Sequence, residues 1–207
     1  MPDDAAAART GLDTTVSHSA RIWNYWLGGK DNFEADRAQA RNVLEVYPQA
    51  AELVIQARQF QARAVAYAAQ QGIGQFLDVG CGLPTAPNTH QTAQAITPDA
   101  RVVYVDNDAQ VLTHARNLLA QSTGVLACAG DLAYPAEILY DWRVRRFLDF
   151  HQPLCLVLAM TMHFFPPGVT MTMFWKTRGD SQYPWTPQEP PNSFMARDHM
   201  RAPVSPS

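Results

Sequence analysis

The sequence predicts an α/β fold in which a mostly parallel sheet carries helices on both faces and two helices precede the first strand. Three observations predict this fold. From residue 75 onwards, short apolar runs alternate with helical stretches, the runs are apolar throughout, and acidic residues or glycines follow them. Strands that are buried on both faces have this continuous apolar character, which is typical of parallel sheets. Strands that alternate with helices indicate the same architecture.

The N-terminal part of the chain is predicted to hold a leader and two helices. Residues 1–18 are rich in alanine and small polar residues and are expected to be a flexible leader. Residues 21–33 form an aromatic block with three large rings in four positions before a glycine pair, which indicates a short helix ending in a tight turn. Asp31 or Asn32 is predicted to cap the next helix, and a further helix is expected over residues 49–71.

Four strands connected by helices are predicted beyond this point. The predicted strands are 76–79, 101–105, 125–129 and 154–160, and the helical regions between them are 89–96, 109–121 and 138–148. Eight of the 15 prolines follow residue 165, so residues 166–207 are predicted to be an irregular tail in which only 169–175 could form a strand. The domain is therefore expected over residues 19–165, with the later strands of the sheet missing through truncation, a frame shift or natural divergence.

Composition excludes several classes of protein. The 16 Lys+Arg against 19 Asp+Glu give a net charge of -3, so the broad basic surface of a nucleic-acid-binding protein is not expected. The most apolar run, residues 153–165, is shorter than the roughly 20 residues that cross a bilayer, and no secretory signal is visible. The 3 cysteines have no paired spacing. These features predict a cytoplasmic protein without nucleic-acid or membrane partners.

Three acidic residues, Asp78, Asp106 and Asp131, stand where consecutive predicted strands end. Ligands of open parallel sheets bind beyond these carboxyl ends. Gly80 and Gly82 follow the first acid, and glycine lets a ligand approach the backbone closely. A carboxylate after the second strand can accept both hydrogen bonds of a ribose diol. One such aspartate is commonly a helix cap, but three of them with two glycines predict a pocket for an adenosine-type ligand.

The loop after the first strand favours S-adenosylmethionine over a dinucleotide. A dinucleotide site has a third glycine and opens into a helix whose N-terminus meets the pyrophosphate. Here Pro84 and Pro87 interrupt the loop and remove backbone donors. Asp78 would repel a phosphate but suits an ammonium group. S-adenosylmethionine carries an ammonium, a sulfonium, a ribose diol and an adenine without phosphate, and it is the predicted cofactor. A nicotinamide-dependent oxidoreductase is a more distant alternative.

Several of these segments resemble those of a known family. The segments Asp78–Gly82, Val105–Asp108 and Gly130–Leu132 resemble the first three motifs of class I S-adenosylmethionine-dependent methyltransferases. Residues 20–33 resemble the opening signature of the bacterial S-adenosyl methyltransferase family, once a domain of unknown function, and residues 76–90 are similar to its cofactor loop. The resemblance covers residues 19–165 and implies a Rossmann-like sheet.

The resemblance also implies cofactor-binding residues at three strand ends. They are Asp78, Gly80 and Gly82 at the methionine end, Asp106 and Asn107 at the ribose, and Asp131 and Leu132 at the adenine. The aromatic block is expected either to close over the pocket as a lid or to form a structural cluster that anchors the first helix.

The reaction expected of such a site is transfer of a methyl group to a small-molecule acceptor. A general base helps only if the acceptor must lose a proton, and His163 is the weak candidate, since a packed histidine at a strand end is the favoured interpretation of this residue. The histidines and cysteines are scattered and do not have the sequence spacing of metal ligands, so no metal is predicted. The alternative is a non-catalytic remnant that binds S-adenosylmethionine and lacks an acceptor site.

Overall fold

The computed structural model of this chain describes residues 13–119 and 122–161. These residues form a four-stranded parallel sheet with helices on both faces, as predicted. The elements in chain order are α1 (Ser19–Trp26), α2 (Glu34–Val46), α3 (Ala50–Gln70), β1 (Gln75–Val79), α4 (Thr89–Gln94), β2 (Arg101–Asp106), α5 (Ala109–Leu119), β3 (Val125–Ala129), α6 (Pro135–Tyr140), α7 (Trp142–Phe147) and β4 (Cys155–Val157). The predicted tail, including the possible strand at 169–175, lies outside the described residues.

The order of the strands in the sheet is β3-β2-β1-β4. The chain therefore moves outward from β1 through β2 to β3 and then returns to place β4 on the other side of β1. The direction of winding reverses beside β1, and ligands of open α/β sheets bind at the carboxyl edge near such a reversal. In the register, Asp78 pairs with Tyr104, and Phe76 pairs with Val102 on one side and Cys155 on the other.

The core consists of two layers, one on each face of the sheet. Alternate residues of β1 point to opposite faces, so Phe76 packs with α3, α4 and α5 while Leu77 packs with α6 and α7. Both side chains are at most 2% exposed. This double burial explains why the strands are apolar throughout, which is the feature that predicted a parallel sheet.

The predicted helical region at 138–148 is divided into α6 and α7. Asp141 lies between them, and its non-helical backbone (φ -57°, ψ 123°) ends the first helix. Its carboxylate then accepts a hydrogen bond from the N–H of Arg143 over 2.7 Å and caps the second. Aspartate favours such a cap over a helix interior because its side chain can accept hydrogen bonds from nearby backbone N–H groups.

The predicted cap of α2 was wrong. This helix begins after Phe33, and the N–H of Phe33 is bound by Asp36 from the first turn of the helix, over 2.8 Å. Asn24 of α1 holds the residues that were predicted to cap, because its Oδ1 accepts from the N–H of Asp31 and from the side-chain amide of Asn32, each over 2.9 Å. Asp31 and Asn32 are therefore held by a contact with α1 and do not form the predicted cap of α2.

A buried ion pair fastens α1 to α2. Nε of Arg21 lies 3.0 Å from both carboxylate oxygens of Asp36, and the two residues are 3% and 0% exposed. The guanidinium of Arg21 also lies 5.6 Å from the ring centre of Phe33. In the part of the chain that the structure describes, no helix is both long and apolar enough to cross a membrane.

Candidate functional site

The loop after β1 lies across the end of β2. The N–H of Gly80 donates to the carbonyl of Val105 over 2.8 Å, and the N–H of Gly82 donates to Oδ2 of Asp106 over 2.9 Å. Both glycines have positive φ, 71° and 66°, a region that other residues enter at a cost. A Cβ atom at Gly80 would overlap with the side chain of Thr161, whereas one at Gly82 would have nothing within 4 Å. The backbone at Gly82 is therefore open to a ligand.

Asp78 is buried at the carboxyl end of β1, with 2% of its surface exposed. Its Oδ2 accepts hydrogen bonds from the hydroxyl of Thr89 over 2.6 Å and from the side-chain amide of Gln61 over 3.2 Å. The pKa of Asp78 is raised to about 6: burial is the main cause and the negative charge of Asp106 adds to it, while the Thr89 bond and the positive charge of Arg58 oppose the rise. A cationic group at this position would restore the ionised form.

Asp106 ends β2 and is also buried, at 6% exposure. Oδ1 accepts from the N–H of Asp108 over 3.0 Å, and Oδ2 accepts from the N–H of Gly82. Burial raises the pKa of Asp106, while these two N–H groups lower it. The thiol of Cys81 lies 3.9 Å from Oδ2, and Asn107 is the exposed residue that follows. Oδ1 therefore keeps a lone pair for a second donor, and at Oδ2 a ligand hydroxyl would replace the weak thiol donor.

Asp78 and Asp106 lie on the same face of the sheet. Asp78 pairs with Tyr104 in the register of the two strands, and Asp106 follows Tyr104 by two residues. Side chains two residues apart on a strand point to the same face. A cavity opens on this face, and its lining residues are Arg58, Asp78, Cys81, Gly82, Pro84, Asn88, Thr89, Tyr104 and Ala115. The cavity therefore brings together Asp78, the glycine loop at Gly82 and Tyr104 of β2, while Asp106 follows Tyr104 by two residues and does not itself line the cavity.

Asp131 and Leu132 lie one strand further along the sheet and do not line this cavity. Asp131 is half-buried, and its Oδ1 accepts the N–H of Ala133 over 2.8 Å in a local turn. Leu132 packs against the core layer of the opposite face. The N–H of Gly130 donates to the carbonyl of Asp106 over 3.1 Å and joins the two strand ends. The adenine roles of Asp131 and Leu132 stay predictions.

The N-terminal segment reaches the loop after β2 through an ion pair. Nδ1 of His18 lies 2.8 Å from Oδ2 of Asp108 and 3.3 Å from the N–H of Ala20. The shorter contact identifies Nδ1 as a donor to the carboxylate, and this hydrogen bond raises the pKa of His18. The other oxygen of Asp108 caps α5 by accepting the N–H of Gln110 over 2.6 Å. The residue that precedes α1 is thus tied to the carboxyl edge of the sheet, at the loop after β2.

Three polar residues beside Asp78 did not emerge from the sequence: Arg58 and Gln61 on α3, and Thr89 at the start of α4. Gln61 is 8% exposed and sits on the buried face of α3 between Val54 and Val65. A polar residue on an apolar helix face is the signal that could have identified it, because buried amides need partners. The sequence does not show that this partner is Asp78, because only the packing of α3 against β1 brings the two side chains together.

His163, the predicted base, lies outside the described residues. Burial raises the pKa of the Cys81 thiol well above its ordinary value, so this cysteine stays protonated, as suits a packed residue rather than a nucleophile. Among residues 13–119 and 122–161, no group of three His, Cys, Asp or Glu side chains could hold a metal ion.

Comparison with known proteins places the chain in a family. Residues 5–177 match the family model described as S-adenosyl methyltransferase. This chain is a member of the S-adenosyl methyltransferase family. No curated protein matches it.

Two solved structures are similar to this family member. The first is a proposed methyltransferase from Thermobifida fusca YX, with 46% identity and a TM-score of 0.73 over 76% of this chain. The second is a DUF574 family protein from Streptomyces avermitilis MA-4680, with 40% identity and a TM-score of 0.72 over 75% of this chain. The match spans 59% of the first solved chain and 60% of the second. The likeness supports the fold and the family.

Proposed function

We propose that this chain binds S-adenosylmethionine at the carboxyl edge of β1 and β2 and transfers its methyl group to a small-molecule acceptor. One observation carries the proposal: two buried carboxylates, Asp78 and Asp106, lie on one face of the sheet with an open glycine backbone between them. Family membership supports the same ligand.

The chemistry of the donors and acceptors fits this ligand. The described hydrogen bonds to Asp78 end on Oδ2, so we infer that Oδ1 accepts from the ligand's ammonium group. Asp106 is held by two backbone N–H groups and can accept the two ribose hydroxyls in a fork. The backbone of Gly82 can lie against the ligand because no side chain intervenes. Both acids would repel a phosphate, which disfavours a nicotinamide dinucleotide.

When bound, S-adenosylmethionine would supply an electrophilic methyl group: a nucleophile of the acceptor would bond to the methyl carbon in line as the C–S bond breaks, and S-adenosylhomocysteine would leave as a neutral thioether. The chain's own contribution is to position this group and to exclude water from it. The buried carboxylates fix the amino-acid and ribose ends of the ligand, which sets the direction of the sulfonium between them. A small-molecule acceptor is consistent with the net charge of -3, which does not favour a polyanion.

Isothermal titration of the full chain with S-adenosylmethionine and S-adenosylhomocysteine tests the proposal. We expect both to bind, and we expect Asp106→Ala to lose about 1–3 kcal/mol of binding free energy, because the diol loses a charged acceptor. Asp106→Asn keeps the size of the side chain and removes its charge. Asp99→Asn, an exposed residue before β2, is the matched control and should bind as the wild type does.

A turnover assay then separates enzyme from binding protein. Formation of S-adenosylhomocysteine with fractions of a small-molecule extract would support the transferase. Binding without product in any fraction would favour the binding-only remnant. Binding of NAD in place of S-adenosylmethionine, or unchanged affinity in both Asp106 variants, would contradict the assignment of the pocket.

A further inference from the structure

One side of α3 carries a row of large apolar side chains that face solvent. Leu53, Phe60 and Tyr67 are 42%, 66% and 65% exposed. They follow one another at intervals of seven residues, about two turns of an α-helix, so they lie in one line along it. We call these three side chains the α3 stripe. Apolar side chains exposed singly are ordinary on a protein surface, whereas a line of them at heptad spacing is typical of a helix that packs on another helix.

The α3 stripe is separate from the face by which α3 packs in the domain. The buried residues of this helix include Val54, Gln61 and Val65. Successive residues of an α-helix are about 100° apart, so this buried face lies roughly 100° around the helix from the stripe. Packing against the sheet buries one face of a helix, and the second face of α3 is exposed in the structure.

The order of the residues in the α3 stripe matches a second copy of α3 that runs in the antiparallel direction. Phe60 is the midpoint, because Leu53 precedes it and Tyr67 follows it at equal distance in the sequence. A two-fold axis at Phe60 places Leu53 of each copy opposite Tyr67 of the other, and it brings the two Phe60 rings together. Two-fold interfaces require a surface that is complementary to itself in this way.

The flanks of the stripe match in the same register. On one flank, Ala57 lies opposite Ala64 of the second copy, and these small side chains allow the helices to approach. On the other flank, Gln56 lies opposite Arg63 of the second copy. The side-chain nitrogen of Gln56 already donates to Glu52 over 2.6 Å, which leaves the amide oxygen to accept from the guanidinium. Polar flanks on either side of an apolar centre are typical of protein interfaces.

We propose that two copies of this chain form a symmetric dimer by antiparallel pairing of their α3 stripes. This inference does not rest on the proposed function, because the stripe residues do not line the cavity beside Asp78. The exposed parts of the three side chains supply about 300 Å² of apolar surface per copy. With its polar flanks, such a helix pair is at the low end of specific interfaces, so the dimer dissociates on dilution, with a Kd on the order of 10 μM.

Sedimentation velocity of the full chain over a range of concentrations tests the proposal. We expect a monomer at about 1 μM and mostly dimer at about 200 μM. Phe60→Glu should raise the Kd by about 100-fold or more, because it places two carboxylates together at the two-fold axis. Gln59→Glu adds the same charge at an exposed neighbouring position outside the stripe and should leave the Kd unchanged. Thermal unfolding of both variants at low concentration should match the wild type, which checks that they fold.

Disulfide cross-linking tests the antiparallel register. At the usual separation of packed helices, the two copies of residue 60 have Cα atoms close enough for a disulfide, so Phe60→Cys should cross-link under mild oxidation. In the antiparallel pair, each of the positions 53 and 67 lies roughly 21 Å along the axis from its own copy. Leu53→Cys alone and Tyr67→Cys alone should therefore not cross-link, whereas an equimolar mixture of the two should. The wild type, which keeps the three natural cysteines, is the control.

Three outcomes would overturn the proposal. The first is a full chain that stays monomeric at about 200 μM; if the thiol introduced by Phe60→Cys is then protected from a thiol reagent, the stripe is covered within one chain. The second is a dimer that Phe60→Glu does not weaken, which would assign association to another surface. The third is cross-linking of Leu53→Cys alone as fast as in the mixture with Tyr67→Cys, which would exclude the antiparallel register.

Discussion

Replacing the buried carboxylate of Asp78 by an amide should stabilise the ligand-free protein at neutral pH. The pKa of Asp78 rises from its ordinary value of 3.8 to about 6, mainly through burial. At 1.36 kcal/mol per pKa unit, the ionised side chain costs the folded state about 3 kcal/mol. Asn has the same size, and its carbonyl can still accept the hydrogen bonds from Thr89 and Gln61. Asp78→Asn removes the cost of burying the charge.

The effect has a definite dependence on pH. The folded-state pKa of Asp78 lies above its ordinary value, so between pH 3.8 and about 6 the folded state binds more protons than the unfolded state. The contribution of Asp78 to the free energy of unfolding is therefore greatest below this window and falls as pH rises through it. The amide does not titrate. The stability gain of Asp78→Asn should be small near pH 4 and approach about 3 kcal/mol above pH 7.

Urea unfolding at a series of pH values measures this difference directly. The exposed Asp99→Asn should change stability little at any pH, and it controls for the loss of one negative charge. Titration with S-adenosylhomocysteine supplies the second readout, because the stabilised Asn variant should bind more weakly than the wild type. A gain that does not vary between pH 4 and pH 8, or an Asn variant that is less stable than the wild type at pH 7, would refute the reasoning.

Two further substitutions test the packing around the site by thermal or urea unfolding. Arg21→Met should cost about 3–5 kcal/mol because it leaves a carboxylate buried without its partner, whereas Arg41→Met, at an exposed ion pair, should change stability little; equal effects would contradict the buried pair. Gly82→Ala should cost about 1–2 kcal/mol from its positive φ, and Gly80→Ala should cost about 1–3 kcal/mol more through overlap with Thr161. Equal losses of unfolding free energy at the two glycines would contradict this, because they would mean that Thr161 moves away from the new methyl group.

Strands β1, β2 and β3 could be predicted from the sequence to within a residue because their signal is local, whereas β4 is Cys155–Val157 and is shorter than the predicted 154–160. The run at β1 is bounded by Gly74 and Gly80 and is buried on both faces, so hydrophobicity alone places it to within a residue. The acids at the strand ends were found for the same reason, since chain direction and parallel pairing put Asp78 and Asp106 at one edge. Tertiary contacts were not accessible in this way. The amide of Gln61 reaches Asp78 across 17 positions of sequence, through the packing of a helix on a strand.

The physical evidence for the site is independent of likeness to other proteins. Burial raises the pKa of both Asp78 and Asp106, and each buried charge costs the folded state free energy. Gly80 and Gly82 adopt positive φ, and Oγ1 of Thr161 is buried without a hydrogen-bond partner among the described residues. Each of these features lowers the stability of the folded chain, and all of them lie at the carboxyl ends of the strands around β1. Features that cost stability and converge on one edge are those expected at a ligand site, and they support the proposed pocket on physical grounds alone.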